Sequence, residues 1–103
     1  MRLSGQPVSA GWKHVVEGHF NRPLGNSRSI FTITENQVKD ILQSKVVLNS
    51  PILPLTGGQF QRTVDTGQII GNAALKQGGG VTSWINVITD YKGNLITTYP
   101  IVP

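Results

Sequence analysis

Apolar side chains in the stretch PVSAGWKHVVEG, residues 7–18, recur at Val8, Trp12, Val15 and Val16, the spacing of one helix face. Ser9 is placed to cap that helix and Gly18 to stop it. The periodicity breaks over FNRPLGNSRS, Phe20 to Ser29, where proline, glycine, asparagine and arginine predict a loop. SIFTI then reads as a short strand. ITENQVKDILQS predicts a second helix with a complete start signal. Thr34 is its N-cap and Gln37, three residues on, closes a capping box, while Ile33 and Val38 are spaced as a hydrophobic staple. Val38, Ile41 and Leu42 supply the buried stripe. NSPILPLTGG is extended and broken by proline, hence an edge strand or a connection. QFQRTVDT alternates as a strand does, with Gly67 and Gly71 punctuating the stretch beyond it, and ALKQGGG is expected to be a flexible loop carrying Lys76. VTSWINVITDYKGNLITTYPIV is two alternating runs joined by DYKGN, with Gly93 suited to the left-handed position of a hairpin turn. The order helix, strand, helix and antiparallel meander predicts an α+β fold. Its N-terminal helices pack on one face of an antiparallel β-sheet, in a single domain over residues 1–103.

The hairpin carries a geometric expectation. Thr97 and Tyr99 share one face of their strand, and Thr98 and Pro100 share the other. If Asp90 pairs with Asn94, Val87 lies opposite Thr97 and Ile85 opposite Tyr99, with Ser83 and Thr89 on that same face. Trp84, Ile88 and Ile96 then form the other face, with Asn86 beside Thr98. The Trp–Ile–Ile face is the better core, which turns Thr97 and Tyr99 toward a cleft; a slip of one residue reverses every side chain.

Charge narrows the field of partners. Nine Lys and Arg against five Asp and Glu give a net charge of +4, which favours polyanions, although the basic residues are scattered. No apolar run approaches the length of a membrane span, and MRLSGQPVSAG lacks the apolar stretch of a signal peptide. There is no cysteine, so packing alone must hold the fold. The five acids, Glu17, Glu35, Asp40, Asp65 and Asp90, do not share ligand spacing. Two histidines without thiols do not build a tetrahedral zinc site unaided. No metal or other cofactor is expected.

What remains is acid–base chemistry by His, Lys, Arg, Tyr and Thr. Both histidines, His14 and His19, fall in WKHVVEGHF, about 140° apart around a continued helix at ~100° per residue. RNA carries its own nucleophile, the ribose 2′-OH. A base must take its proton and an acid must protonate the departing 5′-oxygen, and imidazole does both near neutrality. Guanidinium, ammonium or hydroxyl donors stabilise the charge that builds on phosphorus-bound oxygens. The product is a 2′,3′-cyclic phosphate. Each residue also has an ordinary structural use. Thr and Tyr are good strand formers, arginines solubilise a polar loop, and KQGGG lacks the strand–Gly–Lys–Ser/Thr–helix context of a phosphate loop.

KHVVEGHF, RSIFTITENQVKDIL and TVDTGQIIGNAALKQGGGVTSWINVITDYKGNLITTYP together resemble the C-terminal toxin domains of bacterial polymorphic toxins, including the contact-dependent growth inhibition effectors. The nearest likeness is to their small ribonuclease domains, of the barnase/EndoU/colicin/RelE fold or the bacterial RNase A-like type. It covers residues 12 to 100. Members commonly carry an early histidine motif and a terminal Thr-x-Tyr-Pro-like strand. The resemblance therefore implies catalytic roles for His14, His19, Thr97 and Tyr99, with Arg28 the first choice of supporting cation and Lys76 and Arg22 the next. Separately, the α+β layout is expected to bring Lys13, Arg22, Arg28 and Lys76 to one side of the sheet as an electropositive, substrate-binding cleft. Only VVEG separates the histidines here, where the EndoU type has a longer glycine-rich interval. The resemblance further implies RNA as substrate, tRNA as the favoured class, and an immunity protein, expected to be acidic, that blocks the site. It also implies export at the end of a larger surface protein and action in the target-cell cytoplasm, with or without a host factor. The competing reading is a non-catalytic basic module that binds nucleic acid or an acidic protein.

Overall fold

A computed structural model describes Met1 and residues 11–103. Val8 and Ser9, expected to begin the first helix, lie outside the described residues. Within them the chain is α+β. Helix α1 spans Trp12–His19, strand β1 Ile30–Phe31, helices α2 and α3 Glu35–Leu42 and Lys45–Leu48, and strands β2 and β3 Leu53–Leu55 and Gln59–Asp65. Strand β4 (Gly71–Asn72), a 3-10 turn (Leu75–Gln77) and β5 (Val81–Thr82) precede the long hairpin of β6 (Trp84–Asp90) and β7 (Leu95–Ile101). The expected sheet is in fact two antiparallel sheets, β1-β4-β5 and β2-β3-β6-β7.

Helix α1 does not stop at Gly18. A glycine ends a helix when it adopts the left-handed conformation, and Gly18 does not; Asn21, at φ 52°, is the non-glycine residue that turns the chain. The helix therefore runs one residue further, to His19, and Phe20 comes next in extended conformation. Phe20 is buried, stacked on Phe31 at 5.1 Å between ring centroids and tilted against Trp12 at 6.0 Å. Helix α2 begins as its sequence predicts. Gln37 N–H donates to Thr34 Oγ1 at 3.1 Å and Thr34 N–H to Gln37 Oε1 at 2.9 Å, so both arms of the capping box are closed. Thr34→Ala leaves one helix-end N–H without its side-chain acceptor and is expected to cost about 1 kcal/mol, read as a lower urea midpoint at unchanged slope. The short α3 was not anticipated, since KVVL has no period of its own; Val47, fully buried, anchors it.

The core is assembled from Val15 of α1, Val38 and Leu42 of α2, Val47, Ile70, and Ile85, Val87 and Leu95 of the hairpin. Asp90 does meet Asn94, by an N–H to carbonyl bond of 3.0 Å. A β-bulge then intervenes: Thr89 pairs with Leu95 but Ile88 pairs with Thr97, which leaves Ile96 as the extra residue. Beyond it the register is shifted by one, so Asn86 lies opposite Tyr99 and Val87 opposite Thr98. The expected faces of β6 are thereby exchanged. Ile85 and Val87 point into the core, whereas Trp84, Asn86 and Ile88 share the face of Thr97 and Tyr99. The bulge also docks the first helix, since Gly11 N–H donates to the Ile96 carbonyl at 2.8 Å and α1 packs on β7.

ALKQGGG, expected to be a flexible loop, is fixed. Leu75 and Lys76 donate their backbone N–H groups to the carbonyls of Gly25 and Asn26, at 2.9 and 3.0 Å, and Asn72 Nδ2 donates to Gly79 at 3.0 Å. The Phe20–Ser29 loop and the 3-10 turn thus form one wall. Among the described residues no helix is long and apolar enough to cross a membrane.

Candidate functional site

That wall, α1 and the outer face of the β6–β7 hairpin enclose an open cavity of about 420 Å³. Helix α1 contributes His14 and His19, the wall contributes Ser27, Ser29, Lys76 and Gln77, and the hairpin contributes Asn86, Thr97 and Tyr99. Among the described residues no carboxylate lines it. The groups facing a ligand are imidazole, ammonium, hydroxyl and amide, a set rich in donors and suited to an anion.

His19 is the most constrained of these. Its Nδ1 lies 2.7 Å from the Ser29 carbonyl oxygen. A carbonyl only accepts, so Nδ1 carries the hydrogen and Nε2 of the neutral ring is left as the basic nitrogen. The ring also stacks on Tyr99, 5.5 Å between centroids and 24° between planes. Burial holds the His19 pKa below its usual 6.5, opposed by the bond to Ser29 and assisted by the charges of His14 and Arg28. Protonation is thus disfavoured in the folded state relative to the unfolded chain. This contribution to stability is complete above pH 6.5 and is lost as pH falls through the lowered folded value. Melting midpoints measured downward from neutrality are expected to fall in that window, and the His19 part of the slope to vanish in His19→Gln.

His14 is exposed, about one and a half turns before His19 on α1, and lines the same cavity. Thr97 Oγ1 is buried and has no hydrogen-bond partner among the described residues. The Tyr99 hydroxyl receives a long contact, 3.5 Å, from Asn86 Nδ2. Thr97 and Tyr99 face the cleft as expected, though not through the expected pairing.

Of the sequence candidates, five line the cavity together: His14, His19, Lys76, Thr97 and Tyr99. Three are not in its lining. Lys13 is exposed and pairs with Glu17 one helical turn on, at 3.8 Å, an interaction of little energetic weight. Arg22 is exposed on the loop, and exposed Arg28 acts on the site through its charge on His19. The expected convergence of four basic side chains on the Tyr99 face is therefore not found: of Lys13, Arg22, Arg28 and Lys76, Lys76 alone lines the cavity. Asn86, Ser27, Ser29 and Gln77 were missed. Asn86 could have been found by counting Ile96 as a bulge. The Ser29 contribution is a backbone carbonyl, which no residue type advertises. Among the described residues, no three His, Asp or Glu side chains come together in a metal-binding group.

Comparison with protein-family models, with curated proteins and with solved structures finds no match to this chain.

Proposed function

We propose that this cavity is the active site of a metal-independent endoribonuclease, and that the chain acts as a toxin in competition between bacteria, with tRNA as its favoured substrate. The observation that carries the reading is His19. It is a ring of fixed tautomer, its neutral form favoured by burial and its Nε2 unpaired among the described residues, in a donor-rich cavity shared with a second histidine. His19 Nε2 takes the proton of a ribose 2′-OH. The 2′-oxygen bonds to the adjacent phosphorus, the bond from phosphorus to the 5′-oxygen breaks, and protonated His14 gives that oxygen its proton. Lys76 and Tyr99 donate to the phosphoryl oxygens as their charge grows, and the buried Thr97 hydroxyl joins them once substrate turns it into the cavity. A 2′,3′-cyclic phosphate and a 5′-hydroxyl remain. The likeness to polymorphic toxin domains supports the biological setting: export at the end of a larger surface protein, action in a target-cell cytoplasm, and an acidic immunity protein over the cavity, drawn in by opposite charge.

The test is incubation of the purified protein with total tRNA in EDTA. Discrete fragments ending in cyclic phosphate are expected, with binding that weakens steeply as salt rises. Because the base is neutral above its lowered pKa, the acidic limb of kcat/KM should lie below pH 6.5. Intact RNA together with a salt-sensitive gel shift would replace this reading with that of a non-catalytic basic binding module.

A further inference from the structure

A row of polar side chains crosses three strands and ends in the cavity. Thr63 of β3 lies directly opposite Asn86 of β6, which lies directly opposite Tyr99 of β7. Side chains so placed are nearest neighbours on one sheet face. Thr63 Oγ1 donates to Asn86 Oδ1 at 2.6 Å, and Asn86 Nδ2 points to the Tyr99 hydroxyl at 3.5 Å. Behind Thr63, Gln61 Nε2 donates to Thr63 Oγ1 at 3.4 Å. Every bond in the row runs the same way. The Thr63 hydroxyl accepts from Gln61 on one side and gives its proton to the Asn86 oxygen on the other. The Asn86 oxygen is then taken, so its amide nitrogen faces the Tyr99 oxygen. With a donor on that oxygen, the Tyr99 proton is left for whatever occupies the cavity.

We infer that Thr63 and Asn86 are positioning residues that commit the Tyr99 hydroxyl to donating a hydrogen bond to an anionic oxygen, here a phosphoryl oxygen of the bound substrate. The inference rests on the ribonuclease reading for the identity of that oxygen, but the row itself does not. If the Asn86 amide were reversed, its oxygen would face Tyr99 and consume the proton the substrate needs. Thr63 favours the observed orientation through its 2.6 Å bond to the Asn86 oxygen, and does so from outside the cavity: it is exposed on β3 and does not line the site. A chain of aligned donors also polarises its members in one direction, which strengthens the terminal bond to an anion.

The decisive measurement is a double-mutant cycle on the purified protein, with kcat and KM for tRNA cleavage and, separately, affinity for inorganic phosphate followed by NMR. Thr63→Val keeps the branched shape and strand preference but removes the hydroxyl. It is expected to lower kcat about fivefold to tenfold, the effect of one hydrogen bond, and to weaken phosphate binding by a similar factor. Thr63→Ser, which retains the hydroxyl, should recover most of this. In a Tyr99→Phe background, Thr63→Val should change nothing further, because the group it acts through is gone. Asn86→Asp turns the amide into an acceptor that takes the Tyr99 proton and repels phosphate, and should cost about a hundredfold. A Thr63→Val protein matching wild type in both assays, or losing the same factor with Tyr99→Phe as without it, overturns the inference. If wild type binds phosphate in a Thr63-dependent manner yet leaves RNA intact, the donor row stands and the ribonuclease reading falls. Cleavage that is indifferent to Thr63 gives the reverse. A wild type that neither cuts RNA nor binds phosphate removes both.

Discussion

His19→Gln is expected to lower tRNA cleavage by about three orders of magnitude, within the range seen when a general base is lost. Glutamine fills much the same space but sets its amide nearer the place of Nε2 than of Nδ1, so the 2.7 Å bond to the Ser29 carbonyl is the structural cost of the change. What it lacks is a basic lone pair where Nε2 stood. The fold should survive, because the core is built from α1, α2 and the inner face of the hairpin and does not include His19. Initial rates and a melting curve measured on the same sample separate the two effects. His14→Ala should also impair cleavage, by about a hundredfold, since the 5′-oxygen then leaves without its proton donor. A folded His19→Gln protein that cuts within tenfold of wild type would end the assignment of His19 as the base.

The largest loss of stability is expected at Gly71. A Cβ built there would overlap the Ile30 carbonyl oxygen, lie 2.8 Å from Pro100 Cγ and lie 3.0 Å from Phe31 Cα. Two of these three neighbours are backbone, and the ring of Pro100 is held in β7. Ile30 and Phe31 are also the residues with which β4 pairs, Phe31 directly opposite Gly71. Gly71→Ala can therefore be accommodated only by separating β4 from β1 or pushing β7 outward. We expect it to cost about 3 kcal/mol or more, at the upper end of what one inserted carbon does in a packed interior. Urea denaturation measures this directly. Pro100 lies between Tyr99 and Ile101 in the cavity wall, so whatever folded protein remains should also cleave poorly. A loss below 1 kcal/mol would show that the contact between the two sheets yields more easily than its geometry implies.

Elements that depend on their own few residues were legible in the sequence. The capping box at Thr34 and Gln37 is a contact across three residues, and both of its bonds are present. The hairpin with Gly93 at positive φ is equally local. Gly18 misled because a helix end is decided by the residues beyond it: here Phe20 is drawn into a cluster with Trp12 and Phe31, and the chain turns one residue later, at Asn21. The faces of β6 misled because alternation has no symbol for an extra residue. Ile96 looks like any strand isoleucine, yet by standing outside the pairing it exchanges the two faces of β6 while leaving Thr97 and Tyr99 where they were expected. The candidate site shows the same division. His14, His19, Lys76, Thr97 and Tyr99 were readable by residue type. The Ser29 carbonyl, Asn86 and the dispersal of Lys13, Arg22 and Arg28 away from the cavity all depend on how distant segments meet.

The bond from Gly11 N–H to the Ile96 carbonyl joins the first described helix to the final strand. The cavity lies beside that helix and that strand, where the His19 ring stacks on Tyr99. No short contiguous fragment of the chain holds His19, Asn86 and Tyr99 together. Such ends-together topologies fold on the slower part of the small-domain range, because the longest loop must close before its contacts repay the closure. On the proposed reading, catalytic competence is then a property of the completed molecule. On dilution from urea, cleavage should return with the last phase of folding. With no cysteine to oxidise, that return needs no change of redox environment.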